Sequence, residues 1–218
     1  MDSGLDGEHN SAARQRCATG LRRLTAPMLT ADQLAARFEG TEASPGQILA
    51  AFKAAAAHLG ITPRAVHAVD WLFRFTQPQD WQPEQRPIVW PSAGLQQEAL
   101  GLGPAQVKNL NRHLIELGVI TAKDSPNGKR YGRRDKAGNI VLAYGFDLSP
   151  LAVRLEEFRE AAERARAERA ALRDLRRRLT IARNSLRQTF ETVREYRLTD
   201  TAWTTVETTV ATAGPIRV

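Results

Sequence analysis

Apolar residues recur at helical spacing in several segments of the chain, and three of these segments begin at a hydroxyl residue followed by proline. The segments after Ser44-Pro45 and Thr62-Pro63 carry apolar side chains every three or four positions. A capping hydroxyl followed by proline is a typical helix start. A shorter helix is predicted over 29–38, and the helical pattern that begins at Ser149-Pro150 continues to about Arg197. The pattern therefore predicts a mainly helical protein.

The middle of the chain mixes helix and strand signals. The predicted elements are, in order, strand 88–90, helix 92–100, helix 104–117, strand 119–122 and strand 140–144. The pair Asn127-Gly128 lies between the last two strands, and this dipeptide strongly favours a hairpin turn. With the preceding helix after Pro63, this is the order of a winged helix-turn-helix, a mainly α fold with a small β-hairpin wing.

These patterns divide the chain into four parts. They are a disordered N-terminus over 1–20, a winged-helix domain over 21–148, a long helix or helix pair over 149–197, and a poorly ordered threonine-rich tail over 198–218. The apolar positions over 149–197 follow a heptad-like spacing, which is typical of a coiled-coil homodimer. Two helices folding back on the same domain fit this spacing equally well, and both interpretations stay open.

Composition excludes several other classes. The chain has 218 residues, 42% of them hydrophobic and 25% charged, which is typical of a globular protein. It has no apolar run long enough to span a membrane, no secretory signal over 1–10, and one cysteine, Cys17, so we expect a cytoplasmic protein. Few soft ligands and no phosphate-binding loop argue against a metal or a cofactor. We see no catalytic constellation and expect a binding protein rather than an enzyme.

The net charge of +7 comes almost entirely from two segments. Residues 104–136 hold eight basic and three acidic side chains, and residues 149–197 hold thirteen and eight. A charged cluster is most often a solvated face, and this interpretation suits the second segment. The first segment mixes its charges with glycine, asparagine and tyrosine and coincides with the predicted recognition helix and wing.

Helix 104–117 has two distinct sides at about 100° per residue. Leucines and Val107 lie on one side, and Lys108, Asn109 and Arg112 lie on the other. Asparagine can pair with adenine, and arginine or lysine with guanine, in the major groove. We interpret these three residues as base contacts, although a plain solvent-facing side would also look like this.

The predicted wing carries six basic residues between positions 123 and 136. Such density is self-repulsive unless a polyanion neutralises it. We interpret Lys129, Arg130, Arg133 and Arg134 as contacts to DNA phosphates or the minor groove. A basic loop without a partner is the alternative.

Five stretches of the sequence together resemble one family. They are Ala68–Trp81, Arg86–Ser92, Gln96–Leu102, Lys123–Asp135 and Tyr144–Pro150. Over about residues 20–197, the chain resembles the plasmid replication initiation protein C family, the initiators of repABC-type plasmids in alphaproteobacteria. The resemblance implies a winged-helix domain akin to the multiple-antibiotic-resistance regulators. It also implies sequence-specific binding to a plasmid origin, which in this family lies within the initiator's own coding region.

The chain departs from this family in length. Family members are longer and carry a second C-terminal domain, whereas the match fades near Leu198. We therefore expect a fragment, a truncated copy or a frameshifted end.

We expect a DNA-binding protein of plasmid replication initiation, whose partners are double-stranded origin DNA, host replication proteins and a second copy of the chain. A winged-helix transcriptional regulator is one alternative. A dimeric helical scaffold with non-specific DNA affinity is another.

Overall fold

The structure, a computed structural model, describes residues 25–197, 203–205 and 208. The expected disorder over 1–20 lies outside the described residues, as does most of the tail over 198–218. In the described part of the tail, residues 203–205 are helical, and the ring of Trp203 packs edge-on against Phe190 with 6.3 Å between centroids. Among the described residues, no helix is both long enough and apolar enough to cross a membrane.

The described chain is mainly helical with a small antiparallel sheet, which confirms the prediction of a mainly α fold with a small β-hairpin. The helices are α1 (Ala26–Ala36), α2 (Pro45–Ala56), α3 (Pro63–Phe73), α4 (Ala93–Leu100), α5 (Pro104–Glu116), α6 (Ser149–Val153) and α7 (Leu155–Glu195). The strands are β1 (Ile88–Val89), β2 (Thr121–Lys123), β3 (Tyr131–Arg134) and β4 (Ile140–Asp147). A short 3₁₀ turn, Pro78–Trp81, follows α3.

Side-chain caps fix the starts of three helices. The hydroxyls of Ser44, Thr62 and Ser92 each accept a hydrogen bond from the backbone N–H three residues later, at 3.2–3.3 Å. Each bond satisfies a donor that the first turn of a helix leaves unpaired. The Ser-Pro and Thr-Pro starts predicted for α2 and α3 are therefore confirmed.

The core gathers around α2, α3 and the start of α7. Phe52 of α2 is fully buried and meets Phe158 edge-on, with 5.6 Å between the ring centroids. Phe73 stacks on Trp81 at 5.4 Å. Such aromatic pairs add to the burial of apolar area that drives folding.

Strand β4 organises the sheet because all three other strands pair with it. β1 and β2 pair antiparallel with its C-terminal half, in the order β1-β4-β2, and β3 pairs with its N-terminal half. Lys123 at the end of β2 lies opposite Gly145, and Tyr131 at the start of β3 lies opposite Tyr144. Residues 124–130 therefore connect two strands that pair with neighbouring residues of β4, and we call them the 124–130 loop.

The prediction that the hairpin turns at Asn127-Gly128 is therefore wrong. These residues do form a turn, with Gly128 at φ 69°, but it lies inside the 124–130 loop. The hairpin is formed by β3 and β4, and it turns over residues 135–139. We call this hairpin the wing. There, Asp135 Oδ1 accepts hydrogen bonds from the N–H groups of Ala137 (2.9 Å) and Asn139 (2.8 Å). An aspartate side chain that binds its own following backbone also favours a turn.

The helical signal after Ser149 breaks once, at Arg154, between α6 and α7. The Arg154 guanidinium donates to the backbone oxygens of Leu117 (2.8 Å) and Gly118 (3.1 Å) and pairs with Glu157. Beyond this break, α7 is one continuous helix of 41 residues, so 155–195 do not form a helix pair.

The chain divides into two compact units, Met1–Glu160 and Ala161–Val218. The first unit extends past the boundary expected at residue 148. It does so because Leu151, Leu155 and Phe158 are buried in it.

Candidate nucleic-acid interface

Helices α4 and α5 are joined by a tight turn. Gly101 ends α4 in the left-handed conformation at φ 61°, which suits a residue without Cβ. Gly103 then precedes α5, and its N–H donates to Gln106 Oε1 at 2.9 Å. The turn therefore sets the direction of α5.

Helix α5 has the two sides that the sequence predicted. Val107, Leu110 and Leu114 are buried, and so is Ile115. Lys108, Asn109 and Arg112 are exposed on the other side. Among the described residues, none of these three side chains forms an ion pair or a hydrogen bond. They are therefore available to a ligand.

A cleft of about 1140 Å³ lies between α5 and the 124–130 loop. Its charged lining residues are five basic side chains and two acidic ones, namely Lys108, Arg112, Lys123, Lys129, Arg130, Glu116 and Asp124. We call this the basic cleft. It brings together four of the seven residues predicted as DNA contacts, and Asn109, Arg133 and Arg134 do not line it.

Arg130 joins the 124–130 loop to α4 and α5 through the paired side-chain amides of Gln96 and Asn111. Gln96 of α4 is fully buried and exchanges two hydrogen bonds with Asn111 of α5, at 2.8 and 3.1 Å. Arg130 Nη1 donates to Gln96 Oε1 at 3.1 Å, and its guanidinium lies 4.6 Å from the centre of the Phe146 ring. Burial lowers the pKa of Arg130 below its ordinary value, but a guanidinium stays charged at neutral pH.

Sequence reasoning missed Gln96 and Asn111. Helical spacing predicts Leu95 on the apolar side of this helix, yet its side chain is 44% exposed while Gln96 is buried. The only sequence signal for Gln96 was its angular position around the helix. A helix of eight residues is too short for its apolar spacing to define that angle well.

Arg134 is held by the protein itself. Its Nη1 and Nη2 donate to the two carboxylate oxygens of Asp80 at 2.6 and 2.8 Å, and Asp80 is fully buried. The guanidinium also donates to Gly138 O at 2.8 Å and lies 5.4 Å from the Trp90 ring centre. These contacts tie the wing to the core, so the Arg134 guanidinium is already bound within the protein.

Lys129 and Arg133 are exposed. The loop that carries Lys129 is ordered by Asn127, whose Oδ1 accepts from Lys129 N at 3.1 Å, and by the Ser125 hydroxyl, which donates to Lys129 O at 2.6 Å. Lys123 lies over the Tyr144 ring at 5.7 Å. Within the part of the chain that the structure describes, no group of three or more His, Cys, Asp or Glu side chains could hold a metal ion.

The family model and the curated relatives that match this chain all belong to one family. The model of the replication protein C N-terminal domain matches residues 22–194. A protein of Rhizobium rhizogenes named "Putative replication protein C" is 39% identical over 151 residues, which cover 69% of this chain and 37% of that protein. One of the same name in Sinorhizobium fredii is 36% identical over 174 residues, which cover 79% of this chain and 43% of that protein.

The chain therefore spans less than half the length of these curated relatives. No solved structure matches it. Because the family model covers most of the chain, from α1 to the end of α7, the chain belongs to the replication protein C family.

Proposed function

We propose that this chain binds the replication origin of a plasmid as double-stranded DNA, through a winged helix-turn-helix formed by α4, α5 and the β2–β4 sheet. The observation that carries the proposal is the basic cleft. Its five basic and two acidic side chains, between an exposed helix and an ordered loop, give a concave surface of net positive charge. Such a surface fits a phosphate backbone that follows a groove.

In this proposal, α5 enters the major groove. Lys108, Asn109 and Arg112 contact base edges, and the short turn before α5 lets its N-terminus approach the DNA. Lys129, Arg130 and Arg133 contact phosphates, which orient the protein without reading sequence. The chain acts by binding, and no chemical step is assigned to it. Opening of the duplex and recruitment of host replication proteins would follow binding.

The experiment is fluorescence anisotropy with duplex fragments that tile the coding sequence of this chain, since the family resemblance implies an origin there. Arg112→Ala or Asn109→Ala should cost about 1–3 kcal/mol of binding free energy and relax the base preference at one position. Arg133→Ala should weaken binding about equally on all fragments and reduce the salt slope by about one unit.

The matched control is Arg64→Ala, which removes an exposed arginine of α3 outside the basic cleft. It should leave affinity and salt slope unchanged. If Arg112→Ala changes neither affinity nor base preference, α5 is not the recognition helix. Equal binding of all fragments would instead indicate non-specific affinity. A preference for DNA upstream of the coding sequence, without support of plasmid maintenance, would indicate a transcriptional regulator.

A further inference from the structure

The second compact unit carries an exposed stripe of leucines on α7. Leu172, Leu175, Leu179 and Leu186 are 38–58% exposed. Their spacing of three, four and seven residues is that of a heptad repeat, with Ala182 at the intervening position. At about 100° per residue, the five side chains fall within ~80° of one another around the helix. We call these five residues the leucine stripe.

Among the residues that the structure describes, none covers the stripe. Every residue from 166 to 182 is exposed, so this part of α7 is surrounded by solvent. Further along, Phe190 differs, because the Trp203 ring packs against it. Exposed apolar side chains in contiguous rows are typical of a surface that binds a partner.

Arginines run beside the stripe. From Leu172 to Arg187 inclusive, the chain has six arginines and one acidic residue, Asp174. Arg176 and Arg183 lie one heptad apart along one edge of the stripe, and Arg178 lies along the other edge. These edges are the positions that select the partner of a coiled coil by charge.

A second copy of this chain does not complement these charges. In a parallel pair, Arg178 of one copy would face Arg183 of the other, and an antiparallel pair would bring the row of Arg176 and Arg183 against itself. No acidic side chain of the stripe's edges would meet either row. Like charges at these positions destabilise pairing.

We propose that the leucine stripe binds an amphipathic helix of another protein, one with apolar residues at heptad spacing and acidic residues along its edges. Burial of the leucines would supply the affinity. The arginine edges would select an acidic partner and steer its approach. The leucine stripe shares no residue with the basic cleft, and the inference does not depend on DNA binding.

The probe is a synthetic three-heptad peptide with leucine at the core positions and glutamate at the edge positions, titrated into the full chain by anisotropy. A second peptide carries lysine at the edges, and a third has the first one's composition out of heptad register. We expect binding of the glutamate peptide alone, weakened by salt because the edge charges are screened.

Two pairs of variants test the surface. Leu175→Gln with Leu179→Gln should weaken binding by at least about tenfold, since two apolar contacts are lost. Ile181→Gln, which changes an equally exposed apolar residue on the opposite side of α7, should change it less than about twofold. Arg176→Gln with Arg183→Gln should weaken binding and flatten its salt dependence, and Arg177→Gln, on the far side, should not. Circular dichroism checks that each variant keeps its helix.

Several results would overturn the inference. One is equal binding of the glutamate and lysine peptides, and another is an Ile181→Gln variant as weak as the leucine pair. If the chain sediments as a dimer and the double substitution Leu175→Gln with Leu179→Gln dissociates that dimer, the stripe binds a second copy of the chain. If the chain binds vesicles of anionic phospholipid and the same double substitution abolishes this binding, the stripe binds a membrane surface.

Discussion

The buried ion pair between Asp80 and Arg134 offers a sharp test of how the wing is held. Arg134→Met keeps the apolar stem of the side chain and removes its charge. The Asp80 carboxylate, fully buried, would then lose both guanidinium bonds and keep only the N–H of Gln77, which donates to its Oδ2 at 2.7 Å. An unpaired buried charge costs about 3–5 kcal/mol when its partner is removed. We expect a loss of unfolding free energy in this range.

Asp80→Asn in the Arg134→Met background should restore part of the loss. The asparagine carbonyl can still accept the Gln77 N–H, and no buried charge is left without a partner. The two substitutions should therefore cost less together than the sum of the single costs. Arg133→Met is the matched control, because it changes an exposed arginine on the same strand. It should alter the free energy of unfolding by no more than about 0.5 kcal/mol.

The assay is urea unfolding followed by tryptophan fluorescence. Three of the four tryptophans, Trp71, Trp81 and Trp90, lie in the first compact unit, and the guanidinium of Arg134 lies over Trp90, so most of the signal reports on this unit. Circular dichroism would weight the long helix α7 instead. If Arg134→Met costs no more than Arg133→Met, or if the single costs add in the double variant, the pair does not hold the wing.

Three further predictions concern the supports of the interface and the sheet. Gln96→Leu leaves Asn111 and Arg130 without their shared partner and should cost about 1–3 kcal/mol of unfolding free energy in urea; an unchanged midpoint would show that the amide pair contributes nothing. Gly132→Ala places a Cβ 2.6 Å from the Trp90 ring and should destabilise the protein by about 1–3 kcal/mol with a shift in tryptophan emission. Burial raises the pKa of Asp147, so its stabilising contribution is present at low pH and is lost as pH rises through its folded pKa. Asp147→Asn should reduce this loss in unfolding free energy measured against pH, and an unchanged slope would contradict the assignment.

Local sequence signals predicted the elements well. Caps and proline fix where α2 and α3 begin, because the bonds that they make or omit lie within one helical turn. The exposed side of α5 followed from its apolar periodicity, since a helix that packs by one side must turn the other outward. The residues proposed to read bases were found in this way.

Contacts between distant residues were beyond such signals. Asn127-Gly128 has the stronger turn dipeptide, yet the wing turns at 135–139, because pairing with β4 sets the register. Nothing near Arg134 in sequence indicates Asp80, which lies 54 residues earlier. The density of basic residues in the predicted wing favours Arg134 as a DNA contact, but it does not distinguish a free guanidinium from one bound within the protein.

The sequence by itself determined the helices, the basic segments and the family, because periodicity, capping and charge are properties of neighbouring residues. Only the tertiary structure decided which basic side chains remain available. It binds Arg134 to Asp80, holds Arg130 against Gln96 in the lining of the basic cleft, and leaves Lys108 and Arg112 open in that cleft. The physical reason is that a side chain is bound by whatever partner the fold brings within hydrogen-bonding distance, and that distance does not depend on separation along the chain.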